Sequence, residues 1–144
     1  MGINTSRTNT IVVEALLKGE IGEVKEFDEL KREVKTSEGS RLDIMLTAGD
    51  HKTYIEVKNC SLGVDGYAQF PDAVTARGTK HLNELIRLVK DGHNGIIFYL
   101  IQRLDADRFK PAADIDPRYA ATLHKAVNQG FWSLPTKRQS LLNQ

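Results

Sequence analysis

The 144-residue sequence contains a single cysteine, Cys60, so the chain cannot form an intrachain disulfide. No uninterrupted apolar run approaches the roughly 18 residues that a membrane-spanning helix needs. The first residues also lack the apolar stretch of a secretory signal. These absences exclude a disulfide scaffold and argue against an integral membrane protein, and we expect a protein of the reduced cytoplasm.

The sequence also lacks an excess of charge of either sign. Twenty lysines and arginines stand against 19 aspartates and glutamates, which gives a formal charge of +1. The overall balance therefore does not indicate a nucleic-acid or anionic membrane partner, and any basic binding surface must be local. With 40% hydrophobic residues, the length suits one compact domain with a core of its own.

Apolar periodicity predicts the order helix, three strands, helix, strand, helix. The expected helices are Asn9 to Lys18, about Asp72 to Asp91, and Asp116-Pro117 to Gly130; the expected strands are Leu30 to Thr36, Ser40 to Thr47, Lys52 to Asn59 and Gly95 to Gln102. The first three strands indicate an antiparallel meander, and the fourth is apolar enough to be buried on both faces. This order is typical of an α/β three-layer sandwich with a central mixed β-sheet. We expect residues 61–67 to form a glycine-containing loop and residues from 134 onward to fray.

Two carboxylates and a lysine fall on neighbouring predicted strands. Asp43 lies in the second strand, and the triplet Glu56-Val57-Lys58 begins thirteen residues later in the third. Because side chains alternate along a strand, Glu56 and Lys58 project from one face, where cross-strand neighbours lie about 5 Å apart. Carboxylate oxygens suit Mg²⁺ or Mn²⁺, and an ammonium can position an attacking water. The grouping therefore predicts metal-dependent hydrolysis of a phosphodiester.

A solvated strand face with an exposed ion pair, worth about 0 to 1 kcal/mol, is the alternative. The apolar neighbours of the charges, among them Ile44, Met45, Ile55 and Val57, argue against it. Carboxylates partly buried among such residues are costly unless they are paired or bound to metal.

Several segments carry a family resemblance in their order along the chain. They include Ile3-Asn4-Thr5-Ser6, Ser40-Arg41-Leu42-Asp43, Tyr54-Ile55-Glu56-Val57-Lys58, Phe70-Pro71-Asp72-Ala73-Val74-Thr75-Ala76-Arg77-Gly78-Thr79-Lys80-His81-Leu82 and Ile115-Asp116-Pro117-Arg118-Tyr119-Ala120. With them the sequence resembles the sugar fermentation stimulation protein A family over nearly all of residues 1–134. That family is similar to the PD-(D/E)xK, restriction-endonuclease-like nucleases, so the resemblance implies the same α/β core.

The resemblance also implies a domain division. Members of the family usually carry an N-terminal OB-like domain before the segment at which this sequence opens. Residues 1–134 would then be the C-terminal nuclease-like domain, and residues 135–144 a polar tail. Because OB folds bind single strands through a basic groove and aromatic stacking, we expect weaker nucleic-acid affinity without one.

Site residues follow from the same resemblance. Asp43 and Glu56 are the expected metal ligands, and Lys58 is expected to position water or to neutralise charge in the transition state. Glu14 matches the acid of the family's first helix, which can complete the metal site in this superfamily. Since Glu14 lies off the apolar stripe of its own helix, an exposed glutamate is an equal alternative.

The block from Phe70 to Leu82 supplies candidate nucleic-acid contacts. Arg77 and His81 stand one helical turn apart at the rim of the apolar stripe, where both could reach a phosphate, and Thr75 and Lys80 could add contacts. A capping or packing role is the alternative for His81. Gly78 would let its helix approach the sheet closely.

Three functions remain open at this point. The first is a nuclease that uses Mg²⁺ or Mn²⁺, needs no organic cofactor and acts on DNA or RNA. The second is a non-catalytic, non-specific DNA-binding protein with a regulatory role in sugar metabolism of the maltose type, as the family's name implies. The third is an interaction protein with a vestigial site, which the joint presence of Asp43, Glu56 and Lys58 disfavours. The sequence leaves the oligomeric state open.

Overall fold

The structure, a computed structural model, describes residues 5–21, 24, 26–37, 39–102, 105–106, 108–129 and 132–137. Its elements in chain order are α1 (Thr5–Leu17), β1 (Glu29–Ser37), β2 (Ser40–Ala48), β3 (His51–Cys60), β4 (Leu62–Val64), β5 (Tyr67–Phe70), α2 (Ala76–Lys90), β6 (Asn94–Ile101), β7 (Arg108–Pro111), α3 (Pro117–Asn128) and β8 (Trp132–Lys137). Within these residues, no helix has the length and apolar character needed to cross a membrane.

A five-stranded mixed sheet with the order β1-β2-β3-β6-β8 forms the centre of the fold. The first three strands pair antiparallel through turns at Gly39 and Gly49, whose φ angles of 75° and 61° favour glycine. β6 then pairs parallel with β3 on one side and with β8 on the other. The predicted meander and the predicted interior strand are both confirmed.

Helices cover both faces of this sheet. On one face α1 packs its apolar stripe against alternate residues of β2, β3 and β6, such as Ile44, Ile55 and Phe98. On the other face α2 and α3 pack against residues that include Tyr54 and Ile97. The alternation of buried side chains above and below the strands gives the predicted three layers.

α2 begins at Ala76, four residues after the expected start near Asp72. Thr75 is its N-cap: the residue is extended at φ −134°, and its hydroxyl accepts the N–H of Gly78 at 2.9 Å. The chain before Thr75 is therefore not helical. α3 begins as predicted, with Asp116 as N-cap and Pro117 at the first helical position.

A second, three-stranded sheet with the order β4-β5-β7 was not expected. β4 and β5 pair antiparallel around Asp65 and Gly66, which both have positive φ angles, and β7 pairs parallel with β5. The prediction of a loop over residues 61–67 is therefore wrong. An Asp-Gly dipeptide between two short strands favours a two-residue hairpin, and this was the signal available in the sequence.

The expectation that the chain frays from residue 134 is also wrong as far as residue 137. β8 pairs with β6 from Trp132 to Lys137, and the predicted start of a tail at residue 135 falls inside this strand. Backbone hydrogen bonds hold an edge strand whatever its apolar content, and a proline such as Pro135 is tolerated there. Residues 138–144 of the predicted tail lie outside the described residues.

Candidate active site

The candidate site lies where β2 and β3 stop pairing. Their register runs from Ala48 and His51 to Ile44 and Ile55, and ends there. Beyond it, side chains bridge the strands: the N–H of Val57 donates to Asp43 Oδ2 at 2.8 Å, and the N–H of Asp43 donates to Glu56 Oε1 at 3.2 Å. The two carboxylates accept backbone N–H groups that a continued ladder would have satisfied. Asp43 and Glu56 are therefore neighbours, as the sequence predicted.

Lys58 lies on the same face as Glu56, two residues along β3. Its Nζ donates to Glu56 Oε2 at 3.0 Å, and only 14% of its side chain is exposed, against 3% for Glu56. This face of β3 is turned towards α2, because Tyr54 packs with α2 while Ile55 and Val57 pack with α1. The strand alternation that predicted Glu56 and Lys58 on one face is confirmed.

His81 of α2 completes the group. Its Nδ1 lies 2.5 Å from Glu56 Oε2 and 3.0 Å from Lys58 Nζ. A separation of 2.5 Å from a carboxylate oxygen requires a proton between the two atoms, so we assign Nδ1–H as the donor to Glu56. His81 is buried at 7% exposure, so the expectation that it stands at the rim of the helix is wrong. In the sequence, His81 stands between Arg77 and the apolar Leu82 and Leu85. This local pattern does not predict the contact of His81 with Glu56.

Opposing shifts separate the two acids. Burial raises the pKa of Glu56, but the hydrogen bond from His81 and the charge of Lys58 outweigh it and bring the pKa down to about 2. Burial and the adjacent negative charge of Glu56 raise the pKa of Asp43 to about 6, although the N–H of Val57 and the charge of Lys58 oppose the rise. Glu56 is ionised at neutral pH, and the ionisation of Asp43 beside it is less favourable than that of a free aspartate.

Glu14 is not part of this group. It is exposed on α1, which packs against the opposite face of the sheet from the Glu56 carboxylate. Over the described ranges, no three or more His, Cys, Asp and Glu side chains are arranged to hold a metal ion. The structure thus brings together two of the three predicted ligands and keeps Glu14 apart. The two that meet offer carboxylate oxygens, which suit a hard divalent cation bound by one or two acids and water.

A basic cavity of about 370 Å³ lies beside these residues. It is lined by Gly39, Arg41, Ala76, Arg77, Lys80 and His81. The Nζ of Lys80 donates to the carbonyl of Gly39 at 2.6 Å, so the N-terminal part of α2 is tied to the β1–β2 turn. Of the four predicted nucleic-acid contacts, three line the cavity, and the fourth, Thr75, uses its hydroxyl to cap α2. Arg41 was missed, although it stands two residues before Asp43.

Gly78 permits a close approach, but not to the sheet. A Cβ at this position would lie 2.8 Å from Cγ2 of Thr75 and 3.2 Å from the ring of Tyr119 in α3. Tyr119 is fully buried, and its hydroxyl lies 2.5 Å from that of Tyr99. Gly78 therefore fits α2 against α3, and this contact fixes the helix that carries Arg77, Lys80 and His81.

Comparison with known proteins shows the family of this chain. Residues 6–140 match the family described as "Sugar fermentation stimulation protein RE domain". Sugar fermentation stimulation protein homologs from Desulfotalea psychrophila and Paramagnetospirillum magneticum are 54% and 48% identical over 142 and 131 residues. These alignments cover 99% and 90% of this chain. The chain spans only 60% and 56% of the length of these two relatives.

A solved structure supports the fold. The structure of Pyrococcus furiosus SfsA in complex with Ca²⁺ is similar at a TM-score of 0.87 and 27% sequence identity, over 94% of this chain and 58% of that one. The shared architecture is the restriction-endonuclease-like fold that the family resemblance implied, with the α/β layers that the strand and helix order predicted. By sequence over nearly its whole length and by fold, this chain belongs to the sugar fermentation stimulation protein family.

Proposed function

We propose that this chain carries a metal-dependent nuclease centre that hydrolyses phosphodiester bonds in nucleic acid. The observation that carries the proposal is the meeting of Asp43, Glu56 and Lys58 at the point where β2 and β3 separate. Two carboxylates and an ammonium in contact are a combination of groups that suits metal-dependent phosphodiester hydrolysis. The Ca²⁺ in the Pyrococcus furiosus relative supports a divalent cation in this family.

Asp43 and Glu56 are the residues that would hold the cation. Both present oxygen, the ligand that Mg²⁺, Mn²⁺ and Ca²⁺ prefer. The raised pKa of Asp43 fits this role, since a cation would offset the repulsion between two adjacent carboxylates. When bound, such an ion supplies charge neutralisation at the phosphate and lowers the pKa of water.

Lys58 and His81 have separate roles in the proposal. The ammonium of Lys58 has three N–H donors and uses one in its hydrogen bond to Glu56. The others remain available for a phosphate oxygen or the attacking water. The Nδ1–H of His81 fixes Glu56 Oε2 from the other side and leaves Oε1 facing Asp43. We infer that His81 positions Glu56 and does not itself touch the reacting phosphate.

Cleavage assays test the proposal. Nicking of plasmid and cutting of single strands should require Mg²⁺ or Mn²⁺ and should stop with EDTA. Glu56→Gln and Lys58→Ala should each lower the rate by orders of magnitude, since each removes a group from a cooperating set. Lys52→Ala is the matched control, because Lys52 is an exposed lysine of the same strand, and its rate should equal that of wild type. Activity that survives both site substitutions would exclude this site.

Non-catalytic nucleic-acid binding is the second candidate. It is favoured by the basic cavity, which can bind phosphate without chemistry, and by the ion pair that already engages Lys58. The same assays separate the two, with DNA binding measured in parallel on the 54% identical Desulfotalea psychrophila relative. Binding by both proteins without cleavage under any divalent metal would favour the binding module.

A further inference from the structure

The basic cavity next to the candidate active site has a charge that the hydrolytic centre does not use. Three of its lining side chains, Arg41, Arg77 and Lys80, are cationic at neutral pH. No acid is among the described residues that line it, and neither guanidinium forms an ion pair with a described carboxylate. In a chain whose formal charge is only +1, three cations around one cavity, without a carboxylate partner among the described residues, give a local positive charge that favours an anion.

Two of the residues that line the cavity lie at the start of α2. Ala76 and Arg77 are the first two residues of α2, a helix of 15 residues. N–H groups in a first turn have no carbonyl partner within the helix, and the helix dipole favours an anion beside them. The bond from Lys80 to the Gly39 carbonyl at 2.6 Å holds the cavity wall in place. A fixed wall, backbone N–H groups and cations together fit phosphate.

We propose that this cavity binds a phosphate monoester, with the terminal phosphate of a nucleic-acid strand as its source. A monoester carries roughly −1.5 to −2 charge at pH 7 and has three strong acceptor oxygens, whereas a phosphodiester within a strand carries a single charge. Two guanidiniums and an ammonium exceed what one diester needs and match a dianion. Guanidinium also binds phosphate through paired, parallel hydrogen bonds.

The position of the cavity relates this anion to the reacting centre. Arg77 and His81 are four residues apart on α2, about 6 Å along the helix axis. His81 both lines the cavity and contacts Glu56. A strand whose end phosphate lies at Arg77 would therefore present its next phosphodiester to Asp43, Glu56 and Lys58. Only this consequence, attack close to a strand end, rests on the proposed nuclease function; binding of the monoester does not.

Binding measurements in EDTA test the inference without cleavage. Short oligonucleotides of one sequence, with a 5′-phosphate, a 3′-phosphate or hydroxyl ends, are compared by fluorescence anisotropy. One of the two phosphorylated oligonucleotides, with either the 5′- or the 3′-phosphate, should bind about tenfold more tightly than the oligonucleotide with hydroxyl ends. Arg41→Ala and Arg77→Ala should each remove this preference with unchanged thermal unfolding, since both residues are exposed. Lys90→Ala, an exposed cation at the far end of α2, is the matched control and should keep it.

Inorganic phosphate and a nucleoside monophosphate identify the source of the monoester. These small molecules support a phosphate monoester site if they bind to wild type and Arg77→Ala weakens their binding. If, in addition, a phosphate at neither strand end adds affinity, the source of the monoester is a free phosphate ester. Equal binding of phosphorylated and hydroxyl-ended strands, with no Arg77-dependent binding of free phosphate, would overturn the proposal. Glu56→Gln should keep the end preference, so a failed cleavage assay with the preference retained counts only against the nuclease function.

Discussion

The carboxylate of Asp116 accepts the backbone N–H of Thr75 at 2.9 Å, across 41 residues of chain. Its other oxygen accepts the N–H of Tyr119 at 3.0 Å and so caps α3. One buried side chain therefore fixes the starts of both α2 and α3. Since α2 carries Arg77, Lys80 and His81, this carboxylate also sets the orientation of the cavity and the candidate site.

Removal of this double cap should destabilise the fold. Asp116→Ala leaves the N–H groups of Thr75 and Tyr119 without this acceptor, and we expect it to lower the free energy of unfolding by about 2 to 4 kcal/mol. Asp116→Asn keeps one acceptor oxygen and should cost about half as much. Urea unfolding measures both variants. Equal losses for Ala and Asn would show that the charge, and not the paired acceptors, provides the stabilisation.

Metal affinity should depend on Asp43. Asp43→Asn keeps the size of the side chain and an oxygen that can accept from Val57, but removes a charged ligand, so affinity for Mn²⁺ should fall about tenfold or more. Isothermal titration calorimetry on wild type and variant provides the comparison. Asp50→Asn, at an exposed acid in the turn between β2 and β3, should leave the affinity unchanged. The same affinity in wild type and Asp43→Asn would place the ion elsewhere.

Glu84 links the β1–β2 hairpin to α2. Its carboxylate accepts from the hydroxyls of Thr36 and Ser37 and from the guanidinium of Arg87, and its side chain is 7% exposed. The hydrogen bond from Arg87, helped by those from the two hydroxyls, outweighs burial and lowers the pKa of Glu84 to about 2. The folded state therefore favours the ionised form more than the unfolded chain does.

This shift predicts a loss of stability in acid. A carboxyl group with a lowered pKa contributes fully above its unfolded value near 4.5, and the contribution is lost as pH falls towards about 2. Because Arg87 is partly exposed, we expect about 1 to 2 kcal/mol from this group. Urea unfolding at pH 6, 4 and 3 should show wild type converging on Glu84→Gln. A constant difference between the two proteins at all three pH values would contradict the assignment.

The features of the fold that follow from the periodicity of apolar residues were predicted correctly from the sequence. Alternation along β3 placed Glu56 and Lys58 on one face, and the run of apolar residues identified β6 as an interior strand. The Asp116-Pro117 pair located the start of α3 because capping is chemistry within one turn. The starting point of α2 was harder to locate, since the last residue before the helix depends on the cap that Asp116 stabilises from far along the chain.

Contacts between distant segments were beyond the sequence. The burial of His81 follows from the packing of α2 against β3, which no local pattern records. β8 pairs through its backbone, so its mixed composition gave no period to recognise. Arg41 belongs to the cavity because the β1–β2 turn folds towards the start of α2, a relation that Lys80 and Gly39 establish in space.

The separation of β2 and β3 determines which site residue is informative when relatives of this chain are compared. Asp43 and Glu56 accept the N–H groups of Val57 and Asp43, so the fold has its own use for both acids whether or not the protein turns over substrate. Among the described residues, the ammonium of Lys58 donates only to the side chain of Glu56, and His81 Nδ1 lies 3.0 Å from it. If hydrolysis is the function, as proposed, a lineage that lost it is free to lose the lysine first and to keep the two acids for their structural contacts. The lysine, more than the carboxylates, is the residue by which active and inactive members should be told apart.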